Sequence, residues 1–309
     1  MKHWVEAARV RTLPLSVSGI IVGSFYAMSQ GMFNWYIVAF ALLTTLGLQI
    51  LSNFANDYGD GVKGTDNNDR VGPKRAIQSG NITPQAMKKA MVVTSLITLV
   101  FAMLLIYFAF KFEEGYLKYS FIFLILGILA IASAIRYTVG KGAYGYRGYG
   151  DFFVFIFFGL VSAFGVYFMF SKTIDWLLLL PATAIGFLSV GVLNLNNMRD
   201  EESDRKAGKN TLVVKMGGAT AKKYHFFLVV SAMVLVLLFA FLNDFHIDQY
   251  IFVVAYFPLI SHLITVYKNR NPKLLDPELK KLAISTFLLS ILLALCLIFF
   301  ISDMVINYV

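Results

Sequence analysis

The sequence predicts an all-α polytopic membrane protein of nine transmembrane helices, organised as two four-helix pseudo-repeats plus one helix. Three observations carry this. Of 309 residues, 58% are hydrophobic and 15% charged, against roughly 25% charged in a soluble domain. The apolar residues fall in nine long runs, each near the ~20 residues a helix needs to cross a bilayer and well beyond the ~10 of a barrel strand. The basic residues also sort cleanly by side when the chain is threaded through nine crossings. A disulfide scaffold is excluded, because the single cysteine, Cys296, lies inside an apolar run. The net charge of +9 has no basic domain to sit on, so nucleic acid is not an expected partner. No cleavable signal is expected either, since Lys2, Glu6, Arg9 and Arg11 precede the first apolar stretch.

In chain order, the first run is Leu13–Ser29, entered through Pro14. The second, Trp35–Tyr58, opens on an interfacial Trp-Tyr pair and closes in Asn and Asp. Met87–Phe110 and Tyr119–Tyr137 complete the first group of four. Phe152–Phe170 and Trp176–Met198 follow, the latter again closing in Asn and Asp. Phe226–Leu242 and Tyr250–Tyr267 complete the second group, and Leu282–Ser302 is the appended ninth. Trp4, Tyr119 and Trp176 also stand near run ends, where amphipathic rings favour the interface. Pro181 and Pro258 read as kinks or packing features. The four histidines are scattered and receive no role.

Nine crossings place every basic residue except Lys111, Lys118 and Lys172, of 27, on the N-terminal side. The positive-inside rule makes that side cytoplasmic. Two long polar loops, residues 59–86 and 199–223, face it. The whole chain, 1–309, reads as one transmembrane domain.

Its chemistry concentrates in two motifs. Residues 53–66 contain Asn56, Asp60 and Asp66, and residues 194–209 contain Asn196, Asp200 and Asp204. A step of four advances a helix by about 400°, so Asn196, Asp200 and Asp204 share one face. Asn56 and Asp60 repeat the first two rungs, and Gly64 leaves the third empty. Each motif closes an even-numbered span, the second and the sixth, which suggests a parallel internal repeat. Capping or solvation accounts for any one Asp or Asn at a helix end. It does not account for two matched ladders on one side. If the halves face each other, the ladders meet across one cavity. Oxygen ligands suit Mg²⁺, and neither motif contains histidine, which argues against zinc. Arg70, Lys74, Arg75, Lys141, Arg147, Arg199 and Lys209 lie on the same side. Carboxylates, bases and Mg²⁺ together suit a polyphosphate. The apolar helices below would accept a hydrocarbon tail, so the joint reading is a lipid diphosphate.

The motifs resemble those of the UbiA superfamily of intramembrane prenyltransferases, and most closely its 1,4-dihydroxy-2-naphthoate branch. The likeness rests on Arg9-Val-Arg-Thr-Leu-Pro14, Asn53 to Asp60 with Gly64-Thr-Asp66, and Arg70-Val-Gly-Pro-Lys-Arg75. It continues through Tyr137-Thr-Val-Gly-Lys-Gly142, Tyr146 to Asp151, and Asn197-Met-Arg-Asp200 with Asp204 and Ala207 to Leu212. The general motif has an acid where this chain has Gly64, and Asp66 fits the naphthoate branch. The resemblance implies nine helices around a central cavity open to the cytoplasm and to lipid. It implies Mg²⁺ held by Asn56, Asp60, Asp200 and Asp204, with Asn196 an extra ligand by spacing. Asp60, Asp200 and Asp204 are the implied catalytic acids. Lys141, Arg147, Lys209, Arg75 and Arg11 would contact diphosphate, with Asp66 also on the substrate side and Tyr137 near the reacting carbon. The implied reaction joins a polyprenyl diphosphate to 1,4-dihydroxy-2-naphthoate with loss of CO2 and diphosphate, on the route to demethylmenaquinone. The alternatives are another aromatic acceptor such as 4-hydroxybenzoate or, from another class, a membrane transporter. Transporters place ionisable groups near the midplane rather than at helix ends.

Overall fold

The computed structural model describes residues 1–66 and 71–306, with residues 299–306 described by backbone alone. Among the described residues, nine helices are long and apolar enough to cross a membrane. They are Lys2–Ser29, Trp35–Val62, Pro84–Phe110, Glu114–Arg136, Gly150–Ser171, Trp176–Arg199, Gly218–Leu242, Ile247–Lys268 and Pro272–Ile298. Each apolar run falls on one of them. The seventh and ninth helices start earlier than hydropathy indicates, because their opening two to three turns carry Lys222 and Lys223, and Lys280 and Lys281. Charge hides a turn from a hydropathy reading but does not stop the backbone from winding.

Three of the helix starts carry side-chain caps. Asn34 accepts from the Tyr36 amide at 2.9 Å, Thr83 from Ala86 at 3.2 Å, and Asn271 from Lys273 at 3.1 Å. Small residues let the helices approach closely, as lipid-embedded packing favours. A Cβ added to Gly23 would lie 2.3 Å from the Ala163 carbonyl, and one on Gly159 would lie 2.7 Å from the Gly186 Cα. These contacts seat the fifth helix between the first and the sixth. Its middle, Phe155–Val161, widens into a π-helical turn beside the cavity described below.

The largest apolar cluster joins the first and fifth helices to the sixth through ninth. Two smaller ones lie at opposite ends of the first half: around Phe110 and Ile37, and around Leu51 and Met87. The two ends of the bundle are closed differently. At one, the Tyr26 hydroxyl donates to Asp175 at 2.7 Å and the Tyr167 hydroxyl donates to Gln30 at 2.7 Å. At the other, the long polar loops and the N-terminal segment converge.

Two of the histidines given no role from sequence prove to be joined. His225 and His262 meet at 2.8 Å through their Nε2 atoms, and His262 Nδ1 lies 2.5 Å from Glu278. This network ties the seventh, eighth and ninth helices together in a region that excludes water. A polar group there needs a protein partner.

Candidate active site

The second helix ends in a Schellman turn, which explains the empty third rung. The Thr65 amide donates to the Asp60 carbonyl at 3.0 Å and the Gly64 amide to Gly61 at 3.3 Å. Gly64 takes φ +71°, a left-handed conformation that favours glycine. The chain therefore folds back and brings Asp66 beside Asp60. Both carboxylates reach one guanidinium: Arg75 lies 3.0 Å from Asp60 and 3.2 Å from Asp66. Asp57 positions that arginine, because its carboxylate accepts from the amides of Ala76 and Ile77, both at 3.1 Å. Asp57 is thus a clamp on the 71–83 loop. Asp60 also accepts from the Tyr146 hydroxyl at 2.7 Å, and Tyr146 lies 2.6 Å from Thr65.

The loop bearing Tyr146 is fastened by close approach. The Thr138 hydroxyl donates to the Ala55 carbonyl at 2.8 Å, and Lys63 donates to the Thr138 carbonyl at 2.6 Å. Gly59 allows this, since a Cβ there would stand 2.7 Å from the Thr138 hydroxyl.

On the other half, the sixth helix ends at Arg199, and Asp200 takes φ −99°, ψ 8° before a second short helix, Glu201–Lys206. The one-face expectation assumed an unbroken helix. The chain bends at Asp200, yet the i to i+4 bonds persist: the Asp200 amide donates to Asn196 at 3.1 Å and the Asp204 amide to Asp200 at 2.8 Å. Arg199 grips Asp200 with two bonds of 2.9 and 2.6 Å, donates to Asn196 at 2.9 Å, and also pairs with Asp276 on the ninth helix.

The two motifs meet at Lys209. Its ammonium lies 3.8 Å from Asp60 and 3.7 Å from Asp204. Below it opens a cavity of about 370 Å³. Asn56, Asp60, Arg75, Asn196 and Lys209 line its polar end, with Arg11 at the mouth and Tyr137 on the wall. Its deep end is apolar, floored by Ile20, Ala41, Leu105, Val166 and Met169.

Of the site residues expected from sequence, Asn56, Asp60, Arg75, Asn196, Lys209, Arg11 and Tyr137 line this cavity. Asp66, Asp200 and Asp204 stand behind it, held to it through Arg75, Arg199 and Lys209. Lys141 and Arg147 are exposed and line no part of it. Arg70 lies outside the described residues. Sequence reading gave no site role to Tyr146, Asp57, Asp276 or Lys280. Tyr146 stood inside a quoted motif, but no spacing argument links it to Asp60 across 86 positions.

Burial pushes the Asp204 carboxyl up to about 6, with Lys209 pulling it down and Asp200 and Asp60 adding to the rise. Burial also works against the charge on Arg75, but Asp60 and Asp66 outweigh it and hold the guanidinium above its ordinary range. Tyr146 is raised by burial and then by Asp60, so it remains a neutral donor.

The UbiA prenyltransferase family profile matches residues 16–277. The chain belongs to this family. It is 42% identical over 301 residues to the 1,4-dihydroxy-2-naphthoate octaprenyltransferase of Haemophilus influenzae, covering 96% of both chains. It is 41% identical over 292 residues to the enzyme of the same description from Escherichia coli, covering 94% of both. Among solved structures, a UbiA homolog from Archaeoglobus fulgidus bound to GPP and Mg²⁺ superposes with a TM-score of 0.67 at 14% identity, covering 97% of this chain and 99% of that one. The apo UbiA homolog from Aeropyrum pernix K1 gives 0.69 at 15% identity, over 93% and 98%. These likenesses establish the UbiA fold and its multi-pass membrane character.

The residues fit a hard divalent cation of the kind in the Archaeoglobus fulgidus structure. Asn56 Oδ1 and Asp204 Oδ2 are buried without a hydrogen-bond partner, and they flank the Asp60–Lys209 contact from opposite motifs. The donor set is all oxygen, as Mg²⁺ requires. Among the described residues, no three acids are drawn together in a ready-made metal cage. Arg75, Arg199 and Lys209 sit between them and neutralise them instead.

Proposed function

We propose that this chain is a Mg²⁺-dependent prenyltransferase of menaquinone biosynthesis. It transfers a polyprenyl group from polyprenyl diphosphate to 1,4-dihydroxy-2-naphthoate, releasing CO2 and diphosphate. The carrying observation is Lys209 within 4 Å of an acid from each motif, directly above an apolar cavity. That arrangement supports a charged head held at the interface and a hydrocarbon tail below it. The names and extents of the bacterial relatives support the naphthoate acceptor over 4-hydroxybenzoate. The clustering of acids at helix ends, away from the midplane, disfavours a transporter. Sorting of the basic residues supports placing the site and the N-terminus on the cytoplasmic side of the inner membrane.

Bound Mg²⁺ would bridge the diphosphate oxygens and neutralise charge that grows as the allylic C–O bond breaks. Asn56, Asp60, Asn196, Asp200 and Asp204 are the residues to hold it. Lys209 and Arg75 lie where the leaving diphosphate collects negative charge, and such stabilisation is greatest in the transition state. The apolar wall below keeps water from the allylic carbon. The Tyr137 ring faces the same cavity and can stabilise positive charge through its π face. The electron-rich ring then forms the new C–C bond. Its carboxylate leaves as CO2, and the C–O bonding pair departs with diphosphate.

Membranes containing the protein, given radiolabelled polyprenyl diphosphate and a panel of aromatic acids, should prenylate the naphthoate. EDTA should stop the reaction and Mg²⁺ restore it. Asp60→Asn and Asp200→Asn, which keep the side-chain shape, should abolish turnover while the protein still inserts. Full activity in either variant, or in EDTA, would overturn the metal assignment. Transfer only to 4-hydroxybenzoate would overturn the acceptor.

A further inference from the structure

We infer that Arg11, which the resemblance assigns to diphosphate, instead forms with Lys280 a subsite for the carboxylate of the aromatic acceptor, separate from the corner that holds diphosphate. The inference rests on the prenyltransferase reading above and assigns the second substrate its place.

The cavity mouth has two cationic corners, and Arg9 also lines the cavity. Arg75 and Lys209 make one, each already committed to the acids of the two motifs. The other lies where the N-terminal segment meets the ninth helix. Arg11 lies 3.9 Å from Asp276 and makes no ion pair with Asp60, Asp200 or Asp204 among the described residues. Lys280, one turn beyond Asp276, lines the same mouth, is exposed, and has no ion-pair or hydrogen-bond partner among the described residues. Arg199 stands between the corners, one arm on Asp200 and one on Asp276. Asp276 therefore spends its charge on two arginines, and Lys280 is left as surplus positive charge at the mouth.

The wall beside this corner offers acceptors. Gln49 donates to Thr12 at 3.2 Å and to Asn53 at 3.3 Å, which fixes its amide, while its Oε1 is buried without a partner. Thr44, five residues earlier and deeper on the same helix, also has a buried hydroxyl oxygen with no partner. A flat hydroquinone ring with a carboxylate on one carbon and a free hydroxyl two carbons further along the same edge can present both groups to this wall. Its anionic end meets Arg11 and Lys280 near water, and its hydroxyl donates to Gln49 below. A diphosphate, with no proton to donate, gains nothing from Gln49 Oε1.

The exposure of the corner also suits the chemistry. The side chain of Arg11 is 44% exposed, so it orients a carboxylate without gripping it. A carboxylate that must leave as neutral CO2 is slowed by any cation that holds its ground state tightly.

The test uses the purified full-length protein, with Arg11→Gln, Lys280→Gln and the double variant. KM should rise for 1,4-dihydroxy-2-naphthoate by roughly two- to fivefold in each single variant, the scale of a partly exposed charge contact, and remain unchanged for the prenyl diphosphate. Binding of the radiolabelled naphthoate without any prenyl diphosphate should weaken in parallel. Binding of 1,4-dihydroxynaphthalene, which lacks the carboxylate, should be the same in all four proteins. A rise in the prenyl diphosphate KM instead, or equal weakening for the carboxylate-free diol, would overturn the subsite. If Arg11→Gln unfolds through loss of Asp276, Lys280→Gln, which breaks no contact, decides the matter. A wild-type protein that binds the naphthoate through this corner but does not prenylate it would refute the proposed reaction and leave the subsite standing.

Discussion

Lys209→Met removes the ammonium between the two motifs and keeps the length of its stem. Lys209 is 7% exposed and Asp60 2%, so the pair is shielded from solvent on both sides. At 3.8 and 3.7 Å, each attraction is about 4 kcal/mol at an effective dielectric of 20. Removing one partner of a buried pair costs about 3–5 kcal/mol, because the other charge is stranded. Asp60 keeps Arg75 and Tyr146, so the loss should fall near the lower bound. A divalent cation offers the stranded acids a substitute. At 100 times its Kd, a ligand adds about 2.7 kcal/mol, close to the deficit. Thermal unfolding of the detergent-solubilised protein should therefore show a Tm several degrees below wild type in EDTA. The gap should narrow markedly in saturating Mg²⁺, compared with NaCl of equal ionic strength. A variant as stable as wild type in EDTA, or a gap that Mg²⁺ leaves untouched, would refute the idea that Lys209 stands in for the cation.

Gly64→Ala meets no atom within 4 Å, so its cost is backbone strain alone, about 1–2 kcal/mol. It should lower Tm and raise the prenyl diphosphate KM by loosening Asp66 from Arg75, and an unchanged Tm would show the turn to be indifferent to side chains. At the opposite end of the bundle, burial lowers Lys172 to about 8 from an ordinary 10.5, with Glu113 pulling the other way. The folded protein thus carries fewer protons than the unfolded chain between those values. Its penalty is complete below about pH 8 and fades as pH rises. Stability should climb from pH 8 to 10 in wild type, and Lys172→Met should remove that slope; a flat wild-type profile would count against it. His262→Leu strands the buried His225 ring at a cost of about 1–3 kcal/mol for the unsatisfied group, and leaves Glu278 with Lys281 at 3.8 Å. Because His225→Leu/His262→Leu removes the histidine pair together, it should recover part of that loss in urea or thermal melts, and non-additivity is the readout. Strict additivity would mean the pair is not coupled.

Much of this molecule could be read without coordinates. Hydropathy located nine helices because a bilayer imposes one length and one polarity on anything that crosses it. Charge sorting located the side on which the loops gather for the same reason. Residue types and a spacing of four located both Asn/Asp ladders, since helical periodicity is local. Three-dimensional folding decided what those ladders touch. That Asp66 stands beside Asp60 on Arg75 depends on a left-handed glycine reversing the chain. That Asp57 clamps a loop while Asp60, three residues on, faces the cavity depends on which side of one helix a distant segment covers. Tyr146, Asp276, Lys280 and the His225–His262–Glu278 network owe their places to contacts between helices far apart in sequence. Periodicity carries no information across such separations, because side-chain partners there are chosen by packing and by the need to satisfy every buried charge.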